Sequence, residues 1–239
     1  MSQNEISDLV MRISDSNLEF PNQVNALVIA MVNLDESRFE KIISTNTLQF
    51  GFEKTMLNIV YPFLSRIGIL WQTGNINPAH EHFITNLIRQ KLIVAIDGQM
   101  APQNPNAKRF VLFLPEGELH ELSLLFGAYI IKSRHNKVIY LGQSLPLKDL
   151  TTVYEVYEPD YIFTLATNNP TRDELPPFVD NVLERFPNVQ LLMSGYQAIQ
   201  LKNEMPENVV IFETIDEMIT FVDEVSEKPF GSNEVSRSA

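Results

Sequence analysis

The sequence predicts a helical bundle followed by an α/β half built on a five-stranded, parallel, doubly wound sheet. Three observations carry that prediction. From Glu5 to about Gln99 no strand pattern occurs, and apolar residues recur at intervals of three and four. Ala101 to Lys108, with Pro102, Pro105 and several amides, then reads as a linker. Beyond it, short apolar runs alternate with helical stretches of roughly 10–15 residues, the rhythm of βαβ units. The expected boundaries are a bundle over residues 1–99, a linker over 100–108, the α/β domain over 109–228 and a polar tail over 229–239.

In the bundle, Asp15-Ser16-Asn17 marks the end of a first helix. Pro21 suits the first turn of a second, which runs to about Asn33. Asp35-Glu36-Ser37 is an acidic start for a third, to about Ser44. Phe52 to Gln72 reads as one long helix, with Met56, Val60, Phe63, Ile67, Leu70 and Trp71 on its apolar side and a kink at Pro62. Gly74 would stop it in the left-handed region that favours glycine. A last helix runs from Pro78 to about Ile96, with Ile84, Leu87, Ile88, Leu92 and Ala95 inward. The expected strands of the second half are 110–114, 138–141 ending at Gly142, 161–165, 189–193 and 209–212. Helices are expected over 119–133, 148–157, 171–186 and 215–226.

Composition narrows the function. Eighteen Lys and Arg against 30 Asp and Glu give a formal charge of −12, which excludes a dedicated binder of phosphate backbones. There is no Cys among the 239 residues, so disulfide, thiolate and Cys-metal chemistry are excluded. No apolar run reaches the roughly 20 residues of a membrane span, and the polar N-terminus is unlike a signal peptide. The expected location is cytoplasmic, with no membrane partner.

In an open α/β sheet, ligands sit beyond the carboxyl ends of the strands. The first such loop is Pro115-Glu116-Gly117-Glu118-Leu119-His120. One glycine and carboxylates that repel phosphate argue against NAD, FAD and ATP. His120 reads either as a solvent-facing loop residue or as a nitrogen ligand for a transition metal, with Glu118 close enough to hold its other ring nitrogen. His80-Glu81-His82 lacks the i, i+4 spacing of a helical zinc site. His135 lies in a Ser-Arg-His-Asn turn. Trp71 is either a packing residue or an aromatic lid over a planar ligand.

These residues together resemble a known family. Trp71, nine intervening residues and Glu81-His82 are similar to the Trp-x9-Glu-His signature of cobalamin-dependent MerR-type transcription regulators, the CarH/LitR photoreceptor group. Glu118-x-His120-x-x-Ser123 is similar to that group's Glu-x-His-x-x-Gly cobalt-ligating loop. The resemblance implies a flavodoxin-like, cobalamin-binding type of sheet domain. It implies that adenosylcobalamin binds between bundle and α/β domain, with His120 as the lower axial ligand of cobalt, Glu118 orienting it, Trp71 packing above the corrin and Glu81 and His82 contacting the adenosyl group. Ser123, Thr167, Ser194 and Gly195 then fall where the family keeps small residues along the groove for the nucleotide tail. Ser123 stands in place of the motif's Gly, the Ser expected after the third strand falls near Leu165-Ala166-Thr167, and the glycine pair is Ser194-Gly195.

The implied function is an effector-sensing, self-associating, non-enzymatic module of a transcription regulator. It would reach DNA only through a helix-turn-helix domain that this sequence lacks. Two other readings remain: a corrinoid carrier for methyl transfer, or an interaction module that no longer binds the ligand.

Overall fold

The computed structural model describes residues 19–72, 74, 76–100 and 106–227. The expected helix before Asp15 and the polar tail lie outside these residues, as does the linker segment 101–105. The chain divides into two compact units, Met1–Lys91 and Leu92–Ala239.

The first unit is helical throughout its described residues. Helix α1 spans Pro21–Val32 with Pro21 in its first turn, where the missing N–H removes no intrahelical bond. Helix α2 spans Glu36–Phe50, capped by the Asp35 carboxylate, which accepts the Arg38 N–H at 2.9 Å. It runs about two turns past the predicted end. Buried Ile43 and Asn46 keep its second half on the core, and Gly51 closes it at φ +85°.

Rod α3 is continuous through Phe52–Thr55, a π-helical turn at Met56–Val60, and Tyr61–Gln72. The predicted disturbance at Pro62 takes the form of that turn. Proline cannot donate to the carbonyl four residues back, and the Tyr61 N–H reaches Met56 O instead. Helix α4 spans Pro78–Asp97 and belongs to the first unit as far as Lys91.

Leu27 and Met31 of α1, Phe39 of α2, Ile59 and Phe63 of α3 and Ile84 of α4 are fully buried. Buried Arg66 donates to Asn25 Oδ1 at 2.6 Å, tying α3 to α1. Lys91 ties α4 to Glu40 of α2 at 2.6 Å.

The second unit carries strands β1 (Arg109–Pro115), β2 (Lys137–Leu145), β3 (Tyr161–Leu165), β4 (Gln190–Ser194) and β5 (Val209–Ile211). All pairs are parallel, in the order β2-β1-β3-β4-β5. This is the flavodoxin-like order, as the alternating pattern predicts. Helices α5 (Leu122–Ser133), α6 (Leu150–Tyr157), α7 (Leu175–Arg185), α8 (Tyr196–Gln200) and α9 (Ile215–Glu227) follow the strands in turn.

One face of the sheet packs Val111, Phe113, Ile162 and Met193 against Leu150 of α6 and Leu175 and Val179 of α7. The other face meets α5 and α9 through Phe163, whose ring leaves no room for a side chain at Gly127, and through Tyr161, stacked edge-on against Phe221. Apolar residues on both faces are what make these strands continuous hydrophobic runs.

Two local expectations are corrected. Strand β2 continues through Gly142 to Leu145: the register skips Leu141, Gly142 at φ +81° pairs with Phe113, and a second shift brings Leu145 opposite Pro115. Helix α5 starts at Leu122, three residues after the predicted Leu119; the Glu121 N–H closes a tight turn onto Leu119 O, and the first helical bond runs from Leu125 N–H to Glu121 O.

Candidate functional site

The order β2-β1-β3 reverses direction at β1, so the loops after β1 and β3 flank the topological switch point. The loop after β1 holds Glu118, whose side chain is completely buried. One carboxylate oxygen, Oε1, accepts the backbone N–H of Leu119 at 2.9 Å, the backbone N–H of His120 at 3.0 Å and His120 Nδ1 at 2.6 Å. The other, Oε2, accepts the N–H groups of Thr167, Asn168 and Asn169 at 3.0, 2.7 and 3.0 Å.

Burial alone would push this carboxyl up. The amides of Asn168 and Asn169, then the His120 ring and amide, outweigh it and hold the carboxyl down at about 2. Glu118 is therefore an ionised buried carboxylate, and its counter-dipoles are backbone N–H groups.

An ionised carboxylate only accepts, so Nδ1 of His120 carries the hydrogen. In the neutral ring the lone pair then lies on Nε2. The His120 side chain is 56% exposed, whereas Glu118 behind it is fully covered. The arrangement is an imidazole fixed at one nitrogen and presented at the other, the form in which histidine ligates metals.

The loop that carries it is held from both sides. Asn169 Nδ2 donates to Gly117 O at 3.0 Å from the β3 side. From the β2 side, Gly117 N–H donates to Ser144 Oγ at 3.1 Å, Gln143 Nε2 to Leu119 O at 2.7 Å and Tyr140 OH to buried Glu121 at 2.9 Å. Sequence reasoning missed Asn168, Asn169, Ser144 and Tyr140. The only local signal was the amide-rich stretch after the third strand, whose partner lies about 50 residues earlier.

The other predicted positions separate into groups. Thr167 joins the Glu118–His120 cluster through its amide. Ser194 and Gly195 end the neighbouring strand β4. Ser194 Oγ donates to Phe212 O at 2.7 Å, and Gly195 sits at φ +99° against the backbone of Ala166. Ser123 is exposed on the first turn of α5.

Trp71, Glu81 and His82 belong to the first unit. Trp71 lies in the last turn of α3 with 47% of its surface exposed, and Gly74 closes that turn with its N–H on Trp71 O at 3.0 Å. Glu81 and His82 are adjacent on α4, 3.6 Å apart, with His82 the more exposed of the two. The N–H of His80 caps onto Asn77 Oδ1 at 3.2 Å. His135 is exposed in a turn at φ +58°.

Among the described residues, no group of three or more His, Asp or Glu side chains is placed to enclose a metal ion. His120 can supply one bond. Such a donor fits a metal already held in a macrocycle, which needs only an axial ligand from the protein. Among the described residues no helix is long and apolar enough to cross a membrane.

Comparison with known proteins gives the following. Residues 23–95 match the sequence model of the B12 binding domain family, within the helices α1 to α4. Over 137 residues the chain is 28% identical to the HTH-type transcriptional repressor CarH of Myxococcus xanthus, a stretch covering 57% of this chain and 45% of the repressor. The chain thus spans less than half the length of that curated relative.

Among solved structures, the monomethylamine corrinoid protein of Methanosarcina barkeri is similar with a TM-score of 0.64 and 12% identity, over 82% of this chain and 94% of that one. A cobalamin-binding protein from Desulfitobacterium hafniense aligns over 84% of this chain and 98% of its own, at 14% identity and a TM-score of 0.40. The similarity to the Methanosarcina protein is one of fold. Residues 23–95 are thus similar to the B12 binding domain family, and a 137-residue stretch of the chain is similar to the CarH repressor.

Proposed function

We propose that this CarH-like chain is the effector-sensing part of a transcription regulator, binding a corrinoid through His120 and changing its self-association in response. The observation that carries the reading is the His120 ring, bonded at Nδ1 to the buried Glu118 carboxylate at 2.6 Å on a side chain that is itself 56% exposed.

In this reading Nε2 of His120 would hold the cobalt of a bound corrinoid. Glu118 fixes the tautomer and the ring plane, and the backbone amides of residues 167–169 fix Glu118. Trp71, Glu81 and His82 of the helical unit would help hold the ligand, and adenosylcobalamin is the form this reading assigns. A bound corrinoid would supply a labile cobalt–carbon bond; the residues named here bind and orient, and none is assigned a catalytic step. The chain works in the cytoplasm and reaches DNA through a helix-turn-helix domain outside this sequence. The 28% identity to a repressor supports the regulatory role.

The test is a dark titration of the purified chain with adenosylcobalamin, followed by absorbance and by sedimentation before and after illumination. The expected result is a saturable spectral change, lost or altered in His120→Ala, with a change of assembly state. An unchanged spectrum would overturn ligand binding. Binding with no change of assembly, joined to cobalt-dependent methyl transfer in the presence of a partner methyltransferase, would replace the regulator with a corrinoid carrier.

A further inference from the structure

Of the four positions that the resemblance sets along the nucleotide tail, Ser123 is exposed on α5, while the packing one turn behind it, between α5 and the sheet, and at the ends of β3 and β4 is tight.

Ser123 and Gly127 lie one turn apart on the same side of α5. At Gly127 a side-chain carbon would stand 2.7 Å from Phe163 of β3 and 3.1 Å from Met218 of α9, so helix, sheet and α9 are in mutual contact at this depth. Behind Phe163 a row of rings continues. Phe163 and Phe212 are 6.2 Å apart, Phe212 and Phe221 5.5 Å, and Phe221 and Tyr161 5.5 Å. Phe163 and Phe212 are almost completely buried.

At the ends of β3 and β4 the tight packing is against backbone. A side-chain carbon at Gly195 would stand 2.6 Å from Ala166 O, which already accepts the Gln197 N–H at 2.9 Å. Two of the polar groups at these positions are already engaged. The amide of Thr167 goes to Glu118, and the hydroxyl of Ser194 goes to Phe212 O. A nucleotide, a base with ribose and phosphate, has neither volume nor partners here, and close-packed aromatic interiors yield little to such an insertion.

We infer that the α/β unit recognises the corrin macrocycle alone: the ring lies on the surface at His120, and a ligand's nucleotide tail stays in solvent. This rests on the corrinoid reading above. The ligand class it names is corrinoids with or without a lower nucleotide, and it sets this chain apart from proteins that thread the tail through the sheet domain.

The experiment compares three probes on the full chain in the dark: diaquocobinamide, which lacks the nucleotide; aquocobalamin, which has it; and a cobalamin carrying a bulky fluorophore on the tail ribose. The expected result is that cobinamide binds as tightly as cobalamin or tighter, and that the ribose conjugate keeps the cobalamin affinity within about threefold, less than about 1 kcal/mol. His120→Ala should weaken all three together.

Cobalamin binding more than about tenfold tighter than cobinamide, with the conjugate rejected, would place the tail inside and overturn the inference while leaving the corrinoid reading standing. Failure of every probe would overturn both. As a second variant, Phe163→Leu trims the ring that blocks the groove. Its relative affinity for cobalamin over cobinamide should rise, and an identical ratio in a variant that retains its native unfolding transition would count against Phe163 as the barrier.

Discussion

Glu118 accepts hydrogen bonds at both carboxylate oxygens, three at each, and every donor except the His120 ring is a backbone amide. Such a site tolerates only an anion. Glu118→Gln would turn an NH2 group toward N–H donors, leaving several buried amides unmatched. The expected cost is about 2–4 kcal/mol, read as a lower urea midpoint, together with a weaker corrinoid spectral change. A variant of unaltered midpoint would contradict the role given to the carboxylate. The pH dependence follows from the same group. Its folded value of about 2 lies below the ordinary 4.5, so its stabilisation is complete above about 4.5 and fades as the pH falls toward 2. For a fully buried group the contribution is about 3 kcal/mol. Acid unfolding followed by circular dichroism should therefore show the wild type losing more stability across that window than Glu118→Gln does. The side chain's identity was legible in the sequence, and its nearness to His120 suggested the Nδ1 bond. Its hold on residues 167–169 was not legible, because nothing local couples positions about 50 apart.

Elements with one dominant physical cause were read well. The parallel strands showed as apolar runs because both faces are covered, and α1 and α4 showed through proline at their starts and a heptad-like core face. Errors came where a side chain or a glycine overrode the local pattern. Glu118 takes the Leu119 and His120 amides within a turn that precedes α5. Gly142, read as a strand end, is an irregularity inside β2. Gly195 shows how tightly two strand ends are joined, since both its φ of +99° and the Ala166 backbone beside it demand glycine. Gly195→Ala is expected to destabilise the chain by about 2 kcal/mol or more in urea unfolding. A loss under about 0.5 kcal/mol would mean that the β3–β4 junction is looser than described. Gly127→Ala, driven against the Phe163 ring, is expected to cost about 1–3 kcal/mol by the same measurement.

At the scale of the whole chain, the order of a helical unit before a flavodoxin-like sheet was legible, because the hydrophobic period changes from helical to strand-like near residue 109. The division itself falls at Lys91–Leu92, inside α4, where no break in composition marks it. A formal charge of −12 should keep the chain off nucleic acid. Gel retardation of a mixed-sequence duplex at about 50 mM salt should show no shifted band, and a salt-sensitive complex would contradict the assignment of DNA contact to another domain. What joins the scales is a nitrogen of His120 on cobalt. The most direct measurement is electron paramagnetic resonance of cob(II)alamin bound to the chain, prepared with natural-abundance and with 15N-labelled protein. Axial ligation by His120 predicts that the superhyperfine lines change from triplets to doublets on labelling, and that labelled His120→Ala shows instead the triplets of the cofactor's own base. Triplets that persist in the labelled protein would mean that the axial nitrogen belongs to the cofactor's own base, and the account would fail at its centre.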